Sequence, residues 1–152
     1  MSKPYRILSF DGGGIRSLLT LEILSLLNKE IDLLSQVQLF AGTSAGSMLA
    51  VSLAMGQPLE TLASFYEDPK EFLEPSSRIS FLHFRNLYTS DSGKRRLKEH
   101  LKYQDYTPED PLSKLKKDVI VTSCTLKGEK GNWHPVTFNN SFRLFNYICC
   151  QP

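Results

Sequence analysis

The stretch Leu39-Phe40-Ala41-Gly42-Thr43-Ser44-Ala45-Gly46-Ser47-Met48 constrains the fold more than any other part of the chain. An apolar run ends in Gly-Thr-Ser-Ala-Gly, and a second apolar run begins at once. Gly42-x-Ser44-x-Gly46 has the G-x-S-x-G pattern of a nucleophile elbow, in which a buried strand turns sharply into a helix with the serine at the tip. Side chains at Gly42 and Gly46 would collide with neighbouring backbone in so tight a turn. The turn lifts the Ser44 hydroxyl clear of the sheet and aims the first amides of the next helix at whatever it attacks. The pentapeptide alone is weak, since chance supplies it in roughly one chain of this length in twenty. Its flanks strengthen it: residues 37–41 read as a short buried strand, and residues 45–55 as an apolar helix closed by Gly56. A structural glycine-rich turn is the alternative reading of these residues taken alone.

A second glycine motif precedes it. Residues 5–10 (Tyr-Arg-Ile-Leu-Ser-Phe) predict a strand that runs straight into Asp11-Gly12-Gly13-Gly14-Ile15-Arg16. From about Ile15 to Leu34 the pattern is helical, with Leu19, Ile23, Leu26, Leu27 and Ile31 at three- and four-residue steps. Leu18, Leu21 and Leu24 broaden the apolar surface, which predicts a helix covered on more than one side. Strand, helix, strand implies a right-handed βαβ unit with parallel strands. Both glycine corners then fall on the carboxyl edge of one sheet. Consecutive glycines at a helix start leave amides uncovered, a nest for an anion such as the tetrahedral oxyanion of acyl transfer. Arg16 adds positive charge there or pairs with Asp11. A phosphate-binding loop is the competing reading, but G-x-G-x-x-G fails at Ser17 and no Walker A sequence is present.

The remaining chain predicts a short helix from Pro58 to Tyr66, an aromatic segment from Ile79 to Tyr88, and a helix from Lys94 to Leu101. A β-branched strand follows from Asp118 to Leu126, then a turn and a hairpin partner from His134 to Phe138. Residues 33–59 carry no charge. The turn in their middle favours a buried strand-turn-helix over a transmembrane span. A net charge of +2 is too small to indicate nucleic acid. Cys124, Cys149 and Cys150 form no C-x-x-C or Cys/His metal spacing, so neither a disulfide framework nor a metal site is expected. The start Met-Ser-Lys-Pro followed by a strand does not read as a signal peptide, and a reducing setting is expected, cytoplasmic or peripheral at a membrane surface. Three convincing strands and two good helices make a thin layer with an open edge, so the chain reads as a fragment or shortened product.

Asp11-Gly12-Gly13-Gly14-Ile15-Arg16 followed by Gly42-Thr43-Ser44-Ala45-Gly46 resembles the patatin-like phospholipase family. Weaker similarity continues through Asp118-Val-Ile-Val-Thr-Ser and Pro135-Val-Thr-Phe138-Asn139, so the resemblance covers roughly residues 5–140. It implies a fold class of α/β with a mostly parallel sheet flanked by helices, here incomplete at the C-terminus, so that residues 1–152 are a partial domain. It implies a lipid acyl hydrolase with a Ser–Asp dyad, no catalytic histidine, no metal and no cofactor. Ser44 is then the nucleophile, and the Gly12, Gly13 and Gly14 amides with Arg16 form the oxyanion hole. The substrate is a phospholipid or another acyl lipid, met in the cytoplasm or at a membrane surface, with no nucleic-acid partner.

Two departures from the family stand out. Ser17 occupies a usual glycine position, and the downstream Asp-Gly-Gly or Asp-Gly-Ala that supplies the dyad base is missing, as is an Ala-Ala-Pro segment. A serine without a base is a poor nucleophile. His134 preceded by Asp110 or Asp118 follows the Ser…Asp…His order of α/β-hydrolases, although a lone histidine in a hairpin is more often a surface or packing residue. His83 and His100 read as loop and helix-face residues. Lys94, Lys98 and Lys102 recur at four-residue steps, with Arg95, Arg96, Lys114, Lys116 and Lys117 nearby. They read as a solvated face before they read as a head-group site. Ile79 to Tyr88 reads equally as an interfacial lip or as core. The leading expectation is a lipid acyl hydrolase domain. The alternative is an inactive module that binds lipid or a protein partner.

Overall fold

In the computed structural model, residues 4–67, 90–125 and 134–140 are described. The aromatic segment Ile79–Tyr88, His83, the turn before His134, and Cys149 and Cys150 lie outside them. The strands are β1 (Ile7–Phe10), β2 (Leu39–Thr43), β3 (Asp118–Thr125) and β4 (His134–Asn139). They form one sheet in the order β1-β2-β3-β4. β1 pairs β2 and β2 pairs β3 in parallel, whereas β4 returns antiparallel to β3. The fold is α/β with a mostly parallel sheet, as the βαβ pattern requires.

Register sets the core. Leu8 lies beside Phe40 and Phe40 beside Val119, so one face of three strands carries large apolar side chains. Phe10 and Phe40 stack with ring centres 6.3 Å apart. Helix α3 (Ala45–Met55) packs on β1, β2 and β3. Eight of its residues are buried, which is why its sequence is apolar all round and shows no polar stripe. Helix α4 (Leu59–Glu67) inserts Leu62, Phe65 and Tyr66 into the same cluster. Among the described residues no helix is long and apolar enough to cross a membrane, and the charge-free stretch is strand, turn and helix.

Helix α1 (Ser17–Ile31) differs from expectation in two ways. It stops at Asp32, whose φ of 47° is left-handed, and a short α2 (Leu33–Gln36) restarts the chain. Asp tolerates this conformation better than most residues. The Asp32 amide donates to Asn28 O at 3.0 Å, and Asn28 Oδ1 accepts from the Leu34 amide at 2.9 Å. The second difference is burial. Only Ser17, Leu21 and Leu24 are buried, while Leu19, Ile23, Leu26, Leu27 and Ile31 are exposed. The expected cover on more than one side is absent among the described residues.

Helix α5 (Ser90–His100) begins four residues before the predicted Lys94. Two of the basic residues near it stand in ion pairs and a third turns inward. Lys98 pairs with Glu109 at 3.4 Å and Lys114 with Asp110 at 3.1 Å. Lys117 turns inward, donating to Leu34 O and to Val37 O, and burial lowers its pKa.

Candidate active site

Ser44 is the last residue before α3, and its backbone is strained. Its φ of 56° with ψ of −124° is a conformation L-residues rarely adopt. Strain of this kind persists only where the surroundings over-determine it, and here they do. A Cβ on Gly42 would stand 2.1 Å from Gly46 O, and one on Gly46 would stand 2.3 Å from Phe10 O. The elbow is therefore closed on itself and pressed against the end of β1. Ser47 Oγ donates to Gly42 O at 2.7 Å, tying the first turn of α3 back to β2. Tyr66 OH donates to Ala45 O at 2.8 Å from α4, and burial pushes its phenol pKa up. Thr43 Oγ1 and Thr122 Oγ1 share a hydrogen bond of 2.8 Å, which links β2 to β3 beside the tip. The result is an exposed Ser44 on a rigid base.

The structure brings the two glycine corners together. A Cβ built on Gly12 would lie 3.1 Å from Ser44 Cβ and 3.2 Å from Thr43 O. No residue larger than glycine sits there without moving the serine. Gly14 takes a left-handed φ of 55°, and a single 3-10 turn (Gly14–Arg16) leads into α1. The Arg16 amide donates to Gly13 O at 3.1 Å, closing that turn. A cavity of about 430 Å³ opens beside it, lined by Ser9, Asp11, Gly12, Gly13, Arg16 and Thr20 among others. Gly12 belongs to both surfaces, since a Cβ on it would press on Ser44 and it lines the cavity. Arg16 is exposed and makes no ion pair with Asp11 among the described residues, so of the two expected roles for its charge the pairing is not seen.

Among the described residues no base reaches the serine. The Ser44 hydroxyl has no hydrogen-bond partner among the described residues. The histidine alternative is not assembled. His134 is exposed at the start of β4, opposite Thr125. Asp110 accepts from the Thr107 amide at 2.7 Å and from Lys114, and Asp118 accepts from Tyr5 OH at 2.6 Å. His100 is not an open helix-face residue. It stacks on Phe65 at 3.7 Å, its Nε2 shares a 2.9 Å hydrogen bond with Ser52 Oγ, and Ser52 is fully buried. Desolvation, helped by the Arg96 charge, lowers its pKa to about 4. No cluster of metal-ligating residues occurs among the described residues.

Sequence reading missed Ser47 and Tyr66 as supports. Ser47 carried a local signal, its place directly after Gly46. Tyr66 carried none, because its acceptor is a backbone carbonyl twenty-one residues away.

A "Putative sporulation hydrolase CotR" of Bacillus subtilis (strain 168) is 35% identical over 147 residues. "Protein teg" of Priestia megaterium is 30% identical over 146 residues. Each match covers 90% of this chain and 42% of the relative, so the chain spans less than half the length of either. The crystal structure of the type III effector protein ExoU superposes with a TM-score of 0.48 at 15% identity, covering 89% of this chain and 36% of that one. Residues 8–147 match the family described as Patatin-like phospholipase, and the chain belongs to that family.

Proposed function

We propose that this chain carries the nucleophile and oxyanion-hole half of a lipid acyl hydrolase. Ser44 Oγ attacks the ester carbonyl of a phospholipid or related acyl lipid, and the ester C–O bond breaks. The lipid alcohol leaves carrying the serine proton, and the acyl group stays on Ser44. The amides of Gly12, Gly13 and Gly14 hold the developing oxyanion, with the Arg16 charge close by. Each such donor is typically worth about 3 kcal/mol of barrier. One observation carries the reading: an exposed, strained serine has its Cβ 3.1 Å from where a Cβ of Gly12 would stand. Family membership supports the substrate class. Water then releases the fatty acid. In the family pattern the dyad aspartate activates both steps, and that motif is missing from these residues.

Catalysis without the base is slow but not zero, because an oxyanion hole and binding alone retain roughly a thousandfold or more over water. The test is fatty-acid release from phospholipid vesicles by the wild-type chain and by Ser44→Ala. Slow release that disappears in Ser44→Ala is expected. Rapid turnover overturns the claim that a base is missing.

A second reading rests on the unpartnered Ser44 hydroxyl: a non-catalytic module that binds a lipid surface or a protein. It predicts vesicle binding that Ser44→Ala leaves unchanged, with no fatty acid released by either chain.

A further inference from the structure

The helical run from Gly14 through α1 exposes Ile15, Leu19, Ile23, Leu26, Leu27 and Ile31. Leu19 and Leu26 are the extremes, 66% and 62% exposed. At about 100° per residue these six fall on one face roughly 160° wide, with Ser17 and Leu21 on the other side and Leu24 at its edge beside Ile31. Isolated exposed leucines are ordinary, but a continuous stripe marks an interface. What covers it is written in the order of the residues. Ile23 lies at the centre of the stripe in both angle and sequence. Around it four of the six pair off, Ile15 with Ile31 and Leu19 with Leu27, while the mirror position of Leu26 holds Thr20. The charges are complementary in the same way. Arg16 stands seven residues before Ile23 and Glu30 seven after, both near the midline of the stripe. Neither makes an ion pair among the described residues.

We propose that this face is the contact between two copies of the chain, with α1 packed antiparallel to α1 of the second copy about a two-fold axis at Ile23. Such an isologous contact requires a self-complementary surface. Antiparallel packing sets Ile15 against the partner's Ile31, Leu19 against the partner's Leu27, and Arg16 against the partner's Glu30. The two ion pairs close the ends of the apolar seam and fix its direction, since parallel packing would oppose like charges. Because Arg16 also borders the glycine corner, each seam end lies beside a candidate active site.

Sedimentation equilibrium of the full chain tests the proposal. A species of about 34 kDa is expected, twice the 17.2 kDa chain mass. Leu26→Glu removes an exposed leucine while keeping helix propensity, so circular dichroism stays unchanged. It weakens the dimer by about tenfold or more. Glu30→Arg also weakens it, and adding Arg16→Glu to Glu30→Arg restores it. A monomer at every concentration overturns the proposal and assigns the stripe to another occupant, such as the part of the relatives' length that this chain does not span. A dimer indifferent to Leu26→Glu and to both charge reversals overturns it equally.

Discussion

A methyl group on Gly46 would stand 2.3 Å from Phe10 O and 2.8 Å from Asp11 O, both backbone atoms that cannot swing aside. Gly46→Ala is therefore expected to destabilise the chain by about 2–3 kcal/mol, read as a lower urea midpoint at unchanged slope. Gly12→Ala differs in kind. Its new Cβ meets Ser44 Cβ at 3.1 Å and Thr43 O at 3.2 Å, contacts that relax by a few tenths of an ångström. Stability should fall by less than about 1 kcal/mol, while reactivity at Ser44 falls more than tenfold because the serine is displaced. A Gly12→Ala chain that unfolds outright, or that reacts like wild type, contradicts the juxtaposition of the two corners. These glycines were legible in the sequence because spacing alone reports where backbone must approach backbone. The Tyr66 hydroxyl was not, since nothing local reveals a bond to a carbonyl in another helix.

Among the elements, α5 is fastened to the core through one titrating ring. His100 is held neutral between Ser52 Oγ and Phe65, and Gln57 Nε2 donates to its carbonyl at 2.8 Å. Arg96 lies over Phe65 at 5.5 Å and faces the same ring pair. The His100 pKa is lowered from 6.5 to about 4, so between these values the unfolded chain binds more protons than the folded one. The contribution is fully present above pH 6.5 and is lost as pH falls toward 4. After discounting for its partial exposure it is on the order of 2 kcal/mol. Urea melts at pH 7 and pH 4.5 should show this loss in wild type and a smaller one in His100→Gln. Equal losses in both chains would mean that His100 is not the group responsible. Sequence reading placed His100 on a helix face, as found, but not its partners, because Ser52 and Phe65 come from two other helices. For α3 and the β1–β2–β3 core it succeeded, since continuous apolar runs and β-branched residues report burial directly. For α1 the same reasoning gave too much cover, because apolar periodicity shows which residues seek burial and not what supplies it.

At the scale of the molecule, the parallel strands deliver two loops to one carboxyl edge, and there the Gly12 corner lies against Ser44. The family and the fold were readable from two short motifs because each depends on backbone geometry that few sequences satisfy. An Asp-Gly-Gly or Asp-Gly-Ala motif does not occur downstream of Ser44 in these residues, and among the described residues no side chain stands as a base at Ser44. The central claim is that Ser44 is a nucleophile set against an oxyanion hole. Fluorophosphonate labelling, mapped by mass spectrometry of the digested chain, tests it most directly, because the probe's phosphonyl oxygen occupies the place of the oxyanion. The account predicts a single adduct on Ser44, formed slowly in wild type, more slowly in Gly12→Ala and not at all in Ser44→Ala. Equal labelling of wild type and Ser44→Ala, or an adduct on any other residue, would contradict it.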